Sequence, residues 1–590
     1  MQNPTRSQSR NTVALLALLS ASPLLGAERT MVGTANHDFA AADAGLSTSY
    51  ATNRLLVATA GNWVGGQLPV NGDDLVFGNN SAGNRLALFS QSSGTPASIN
   101  SISFTQTSAF VNRLDVRTQL TVANNITLGA SGGAEVVLRV DTANVNSNSG
   151  TDRLATYVAQ TSSSSTALTV PNITVNSGGS LVFARQFIGT TNTLPQYLSG
   201  NVTIDGGSFI ANRGRRPEAS TGTNTNTATS LNYIIGGSFT LNSGSMSLAP
   251  DTTFVDNATG SGSEITDSRL QINGNFNANG GSITSGNASS ADLNLAGSTN
   301  SIHSSVNLNT TDLSLTSLVD NTNQSLTSGA ALNGLLLTGT GNSVKTVTAT
   351  NTVGNILFRQ NGTSGDLSLR LGADLALTAG STVSVATLGS GTAQSLIIDT
   401  NNFTLDGSAG SIVFNNSSTA RNSDWTVTGG GSVSAGSITF NATGNSVAPD
   451  LAVTAGTDLT AASFDATNVG TITLGVGGLA DFARVSAPVQ TFAGALVVNL
   501  TGAPAAGSYQ LFGAAGGTGD FASVSITGAE SVSLSGLNAW SGSSLDFNYT
   551  FSELSGLLTI SSTAIPEPGT FAALAGLLGL GFAGLRRRRA

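Results

Sequence analysis

From about residue 55 to 562 the chain repeats a three-residue unit of apolar, polar and apolar side chains. Examples are Ile173-Thr174-Val175, Val202-Thr203-Ile204, Phe239-Thr240-Leu241, Leu270-Gln271-Ile272, Leu293-Asn294-Leu295 and Leu313-Ser314-Leu315. The unit returns at Leu375-Ala376-Leu377, Phe403-Thr404-Leu405, Ile438-Thr439-Phe440 and Ile472-Thr473-Leu474. Side chains alternate faces along a strand, so each unit turns two apolar groups inward and one small polar group outward. The pattern predicts short, half-buried strands. Gly-Gly pairs at Gly178-Gly179, Gly206-Gly207, Gly236-Gly237, Gly280-Gly281 and Gly477-Gly478 separate them. Glycine accepts the positive φ of a tight bend, and the flanking Ser and Asn satisfy nearby backbone groups. No part of this body has an apolar period of 3.6 long enough for an amphipathic helix.

Two all-β architectures fit: a right-handed parallel β-helix, or solenoid, and a set of antiparallel β-sandwiches. The spacing of the Gly-Gly marks is irregular but within the range of solenoid coils with varied loops, whereas sandwich strands are longer and their hairpin signals closer. The solenoid is therefore expected over 55–488, closed by a C-terminal β cap over 489–562. Coils about 4.8 Å apart, about 20 of them with about 25 residues each, would make a rod near 100 Å long. Stacked Asn and Thr would continue the ladder on the outside.

The two ends differ from the body. Arg6 and Arg10 precede an apolar run from Val13 to Leu19 and the small residues Gly26 and Ala27. This reads as a secretory signal peptide over 1–27, too short in its apolar part for a permanent anchor, followed by a flexible segment over 28–54. At the other end Pro566-Glu567-Pro568 precedes an uncharged apolar stretch and then Arg586, Arg587, Arg588 and Arg589. A transmembrane helix over 570–585 is expected. It would reach only about 24 Å of a roughly 30 Å hydrocarbon core, the remainder being covered by snorkelling arginines and local thinning. The arginines would stay on the cytoplasmic side.

That order of Pro-Glu-Pro, short apolar helix and terminal arginines over 563–590 resembles the PEP-CTERM sorting signal of bacterial exported proteins. The resemblance implies recognition by an exosortase, a membrane-embedded cysteine transpeptidase, at Pro566, Glu567 and Pro568, with removal of the tail. It also implies anchoring in the membrane before processing, then residence at the cell surface or in the extracellular matrix of a diderm bacterium. The segment Asn62-Trp63-Val64-Gly65-Gly66 through Pro69, Asp73-Asp74 and Leu75-Val76-Phe77 looks like the opening of autotransporter-type passenger repeats. Trp63 would plug the apolar end of the first coil there. The segments Ala503-Pro504-Ala505-Ala506-Gly507-Ser508-Tyr509-Gln510-Leu511-Phe512, Gly519-Asp520-Phe521-Ala522-Ser523-Val524 and Phe551 to Ile560 look like the closing module of the same PEP-CTERM proteins.

Composition narrows the chemistry. Charged residues are 9% of the 590, the formal net charge is −9 and the chain has one lysine, Lys345. An acidic body without a basic face does not suit nucleic acid. There is no cysteine, so no disulfide, thiolate metal site or cysteine nucleophile exists. The two histidines, His37 and His303, stand apart from other ligands, and no Ser-His-Asp spacing emerges. A calcium site at Asp73 and Asp74 lacks further carboxylates nearby. Arg213, Arg215 and Arg216 form the one dense basic cluster of the body and read as an exposed loop. No catalytic, cofactor or metal residue is expected. The expected function is a structural or adhesive surface protein that engages extracellular polysaccharide. The alternative is a surface polysaccharide lyase or glycoside hydrolase on a β-helix scaffold, which would require two carboxylates facing one another across an aromatic-lined groove.

Overall fold

The computed structural model describes residues 26–32, 55–79, 81–89, 96–116, 119–131, 133–141, 168–184, 198–211, 230–248, 267–285, 290–309, 312–318, 322–360, 365–388, 394–415, 423–441, 448–513, 517–563 and 568–587. The chain divides into two compact units, Met1–Ser314 and Leu315–Ala590. The first is built on parallel pairing. Arg85–Phe89 pairs in register with Val111–Val116, this with Glu135–Asp141, and this with Gly179–Ala184. Asn201–Ala211 and Phe239–Leu248 continue the ladder. A second ladder joins Ser230–Ile235, Asp267–Ile272 and Ser290–Leu295, again parallel and in register.

Paired residues are far apart in sequence. Asparagine amides bridge neighbouring strands at separations of 24 (Asn124 to Asn100), 47 (Asn172 to Asn125), 29 (Asn201 to Asn172) and 37 residues (Asn279 to Asn242), each donating at 2.8–2.9 Å. A two-residue hairpin cannot join such partners. Parallel strands need a long crossover between partners. In-register pairing sets inward apolar side chains beside one another, Leu181 beside Phe209 and Phe239 beside Phe276, and rings also meet between rows. Phe183, Phe209, Phe239 and Phe276 follow one another with ring centroids 5.1, 5.3 and 5.9 Å apart.

Glycine fixes the corners. Gly206 (φ 91°) shares its partner Asn176 with Asp205, a bulge in the middle of one strand. At Gly244, with φ 93°, an added Cβ would lie 2.1 Å from the Gly207 carbonyl oxygen. Alternation is not uniform, however. Arg85–Phe89 is buried at every position, and Val137 and Val182 form a buried apolar cluster with Val111 and Ile210 packed on it. These runs are buried on both faces, with the charged Arg85, Arg113, Asp115 and Arg139 buried among the apolar residues.

The first unit starts earlier than the sequence suggests. The loose segment expected over 28–54 opens with a strand, Glu28–Met31, paired in parallel with Asp74–Phe77, which in turn pairs with Ser101–Phe104. Asp73 is the reason. It is 2% exposed, accepts from the Ala27 amide at 2.9 Å and from Arg29 Nε at 2.8 Å, and so pins the strand's first residues. Residues 33–54 lie outside the described residues, as do residues 1–25 of the expected signal peptide.

In the second unit Thr322–Ser328, Ser343–Ala349, Gly365–Leu371, Gln394–Asp399, Ser423–Thr428 and Asp450–Val453 pair in parallel, one with the next. Thr471–Gly478, Ala495–Leu500 and Ser523–Gly528 extend the series. A second parallel ladder runs through Leu332–Gly339, Val353–Gln360, Thr382–Leu388, Thr404–Asn415, Ser432–Asn441 and Asp458–Asp465. The body is thus all-β with parallel sheets. Antiparallel order, the alternative for the body, governs the C-terminal strands. Val532–Leu537, Ala539–Ser543, Phe547–Ser552 and Leu557–Ser562 form a meander from Ser523–Gly528, and the last strand pairs back onto Gly507–Gln510. Parallel pairing therefore persists past residue 489, where the cap was expected to begin.

The C-terminal segment folds as a helix, Pro568–Arg587, of 20 residues. The transmembrane helix expected at 570–585 needs correction on one point: among the described residues no helix is long and apolar enough to cross a membrane. Glycine and alanine dilute its hydropathy, and its uncharged part keeps a length of about 24 Å. Leu574, Leu577, Leu578, Leu580 and Phe582 are nonetheless exposed along it.

The stacked corners give a direct prediction. Gly244→Ala combines a positive φ with an impossible Cβ contact, so thermal or urea unfolding should show a loss of about 2 kcal/mol or more. Gly478→Ala, where the added Cβ meets nothing within 4 Å, should change little.

Candidate functional site

The residues singled out in the tail are placed as follows. Pro566 and Glu567 lie outside the described residues; Pro568 opens the helix, where a missing amide hydrogen costs nothing because a first-turn donor has no intrahelical acceptor. Arg586 and Arg587 close it, and Arg588 and Arg589 lie outside the described residues. His37 and the Arg213, Arg215 and Arg216 cluster lie outside as well.

His303 is exposed, and its Nδ1 accepts from the Ser305 amide at 3.2 Å, closing a local turn. Asp73 and Asp74 do not face a common point. Burial raises the Asp73 carboxyl, but the hydrogen bond from Arg29 and those from the Val70 and Ala27 amides outweigh it and hold the carboxyl below the usual range. Asp74 accepts instead from Asn100 Nδ2 at 2.7 Å and Ser101 Oγ at 2.5 Å. Trp63 is 2% exposed, donates from Nε1 to the Val57 carbonyl at 2.8 Å and lies 6.2 Å from the Phe77 ring. It fills the interior beneath the first strands.

Two carboxylate pairs stand out. Asp424 and Asp450 face one another in register on adjacent strands, and burial followed by the Asp450 charge raises Asp424. One strand spacing separates them, but the neighbouring rings of Phe414, Trp425 and Phe440 are buried and offer a sugar no platform. The second pair is in the C-terminal meander. Glu553, 5% exposed, accepts from Trp540 Nε1 at 2.7 Å and from the Phe521 amide at 3.1 Å. With its nitrogen turned toward the acids, the Asn538 amide donates to Glu553 Oε2 and Asp520 Oδ1. Burial pushes the Glu553 carboxyl up, the Trp540 and Phe521 donors oppose this, and the Asp520 charge adds to the rise. Glu553 is buried and in hydrogen-bond contact with Asp520 itself, which leaves no room for a sugar between the two carboxyls. This is a clasp on the meander.

The densest constellation lies inside the second unit around Lys345. The strand Ser343–Ala349 buries alternate residues, so Ser343, Lys345, Val347 and Ala349 point inward. Lys345 is 0% exposed. Its Nζ donates to Ser317 Oγ and to Gln324 Oε1. Gln324 Nε2 donates to the Thr316 carbonyl at 3.1 Å, and Ser317 Oγ donates to Ser343 Oγ at 3.1 Å. Ser343 Oγ and Gln360 Nε2 both donate to the Gly341 carbonyl, at 3.5 and 2.9 Å. The charges on the adjoining strands, Asp366, Arg370 and Arg359, occupy outward positions. With no carboxylate among its hydrogen-bond partners, burial pushes the Lys345 amine down from its ordinary 10.5 to about 7. It is therefore a partly neutral amine beside a serine hydroxyl, the state in which nitrogen can accept a proton.

Sequence reasoning noted Lys345 only as the single lysine. Its inward placement was ambiguous, because Val344, Thr346 and Thr348 on the opposite face would make an equally good core row. Comparison with family models, with curated proteins and with solved structures finds no match for this chain.

Two predictions follow from the geometry. Because the folded pKa of Lys345 lies below its unfolded value, the unfolded chain binds more protons between about pH 7 and 10.5, and stability rises with pH across that window. Below about pH 7 the penalty is complete, on the order of 5 kcal/mol, so Lys345→Met should stabilise the chain in urea at pH 6 and lose that advantage by about pH 10. Glu553→Ala strands the Trp540 and Phe521 donors, and denaturation should show a loss of about 2–4 kcal/mol, whereas Glu553→Gln keeps an acceptor and should lose less.

Proposed function

We propose that the chain is an exported structural or adhesive protein of the cell surface or extracellular matrix, whose body is a right-handed parallel β-solenoid. In this reading it acts by repetition. In-register parallel strands put a row of small polar side chains on the outside of each ladder, and the asparagine bridges show how such rows are tied from strand to strand. A row of hydroxyls and amides at one strand spacing suits many weak hydrogen bonds to a repeating polymer such as an extracellular polysaccharide. The observation that carries the reading is this ladder, which spends the chain's length on repeated surface.

The tail belongs to the same proposal. Pro566, Glu567 and Pro568 are the residues an exosortase-type transpeptidase recognises, the exposed leucines of the following helix engage the bilayer in part, and the arginines hold its end at the headgroups. The motif follows the last strand, Leu557–Ser562, and its Pro568 is the first residue of the helix.

An epitope tag within the body, followed by fractionation of the native host, tests this. Processing predicts a body of reduced mass in the surface or medium fraction, and retention of the full mass in the membrane fraction when Pro566-Glu567-Pro568 is changed to Ala-Ala-Ala. Identical mass and location for both chains would refute recognition at the motif.

A further inference from the structure

The Lys345 network holds more than a buried tie. Ser317 follows the last residue of the strand Asp312–Thr316, and two side chains from later strands reach the two sides of the bond before it, Gln324 the Thr316 carbonyl and Lys345 the Ser317 hydroxyl. The Ser317 hydroxyl is in hydrogen-bond contact with the Lys345 amine, and the carbonyl oxygen of Thr316 accepts from Gln324 Nε2 at 3.1 Å. A serine oxygen is one five-membered ring away from the carbonyl carbon of the residue before it. The ingredients of an acyl shift are thus in one place: a nucleophile, a nitrogen base held on it, and a donor on the carbonyl oxygen where negative charge would develop.

We propose that the chain cleaves its own backbone between Thr316 and Ser317, with Ser317 Oγ as nucleophile, Lys345 Nζ as base and Gln324 Nε2 as the oxyanion donor. Lys345 takes the hydroxyl proton as Oγ attacks the Thr316 carbonyl carbon. The tetrahedral oxyanion is held by Gln324. The carbon–nitrogen bond breaks, the Ser317 nitrogen receives the proton back from Lys345, and an ester now joins Thr316 to Ser317 Oγ. Water hydrolyses that ester, leaving a carboxylate on Thr316 and a free amino group and hydroxyl on Ser317. No oxidant or cofactor enters the balance.

The surroundings suit each step. Lys345 is wholly buried, without a carboxylate among its hydrogen-bond partners to hold it charged, so its amine is available as a base near neutral pH. The second hydroxyl, Ser343 Oγ, lies 3.1 Å from Ser317 Oγ and can donate to it or to the Gly341 carbonyl as the proton moves. The Ser317 amide donates to the Thr338 carbonyl at 3.0 Å, which holds the leaving nitrogen in place. Leu318, the next residue, is 48% exposed, so water for the second step is one residue away.

The test uses the full-length chain, purified and held for days near pH 8, with fragments read by mass spectrometry and N-terminal sequencing. The expected result is a new N-terminus at Ser317 and a partner fragment ending at Thr316. Ser317→Ala should abolish it, Lys345→Met should slow it about 10²- to 10⁴-fold, and Gln324→Leu about 10²- to 10³-fold. Ser317→Cys should still cleave, through a thioester. Hydroxylamine should speed the reaction and leave a hydroxamate on Thr316. Far-ultraviolet circular dichroism establishes that each variant is folded, and Lys345→Met is expected to fold at least as well as the parent. A parent chain that stays in one piece with hydroxylamine present, or equal cleavage in folded Ser317→Ala, would overturn the proposal.

Discussion

In-register parallel pairing of the backbone is the constraint on which the rest of the structure depends. Once Val202 lies beside Phe239 and Ile204 beside Leu241, every inward residue shares a column with the residues on the strands next to it, about 4.8 Å away. A column accepts a repeated type of side chain and resists an isolated exception. Phe239 beside Phe276 shows this in the first unit, and Phe414 beside Phe440 in the second. The same rule works on the outer face, where asparagine stacks on asparagine and Arg484 on Asp458. Such exposed ion pairs add little stability by themselves, which is why a chain with 9% charged residues can dispense with most of them.

The exceptions within the columns are therefore informative. Lys345 takes an inward position between Gln324 and Leu369, and its amine meets one hydroxyl, of Ser317, and one amide oxygen, of Gln324. Arg85, 1% exposed and paired in register with Asn112, donates to the Gly78 carbonyl at 2.6 Å, and burial pushes its guanidinium down to about 10. Each disfavours its own charged form, because desolvation is not matched by a nearby carboxylate among the hydrogen bonds it makes. Glu553 breaks the pattern differently. It replaces a core side chain in the meander with an acceptor for an indole and a backbone amide, and so ties three strands where parallel stacking has stopped.

Much of the fold was legible because strand period and glycine chemistry are local. The triplets mark strands, and Gly206 and Gly281 adopt the positive φ that their Gly-Gly pairs imply. The strand at Glu28–Met31 was not legible. It has a short mixed sequence, and only the contact of Ala27 and Arg29 with Asp73, more than forty residues away, gives it a partner. The double-sided burial of Arg85–Phe89 was likewise hidden, since a polar residue at a strand start reads as solvent-facing. The Lys345 site escaped for a third reason: Thr316, Ser317 and Gln324 are unremarkable in a Ser/Thr/Asn-rich chain, and nothing in their spacing ties them to the single lysine.

The sequence by itself determined that the body is β, that its strands are short, that cysteine chemistry is absent and that the C-terminal apolar segment differs from the rest. Period, composition and backbone freedom act over a few residues, and these properties need nothing more. Only the tertiary structure decided that the body strands run parallel, where antiparallel order takes over, and which polar residues turn inward. Those outcomes depend on register between residues 21 to 48 apart in the chain, and register is a property of pairs that neither partner carries alone.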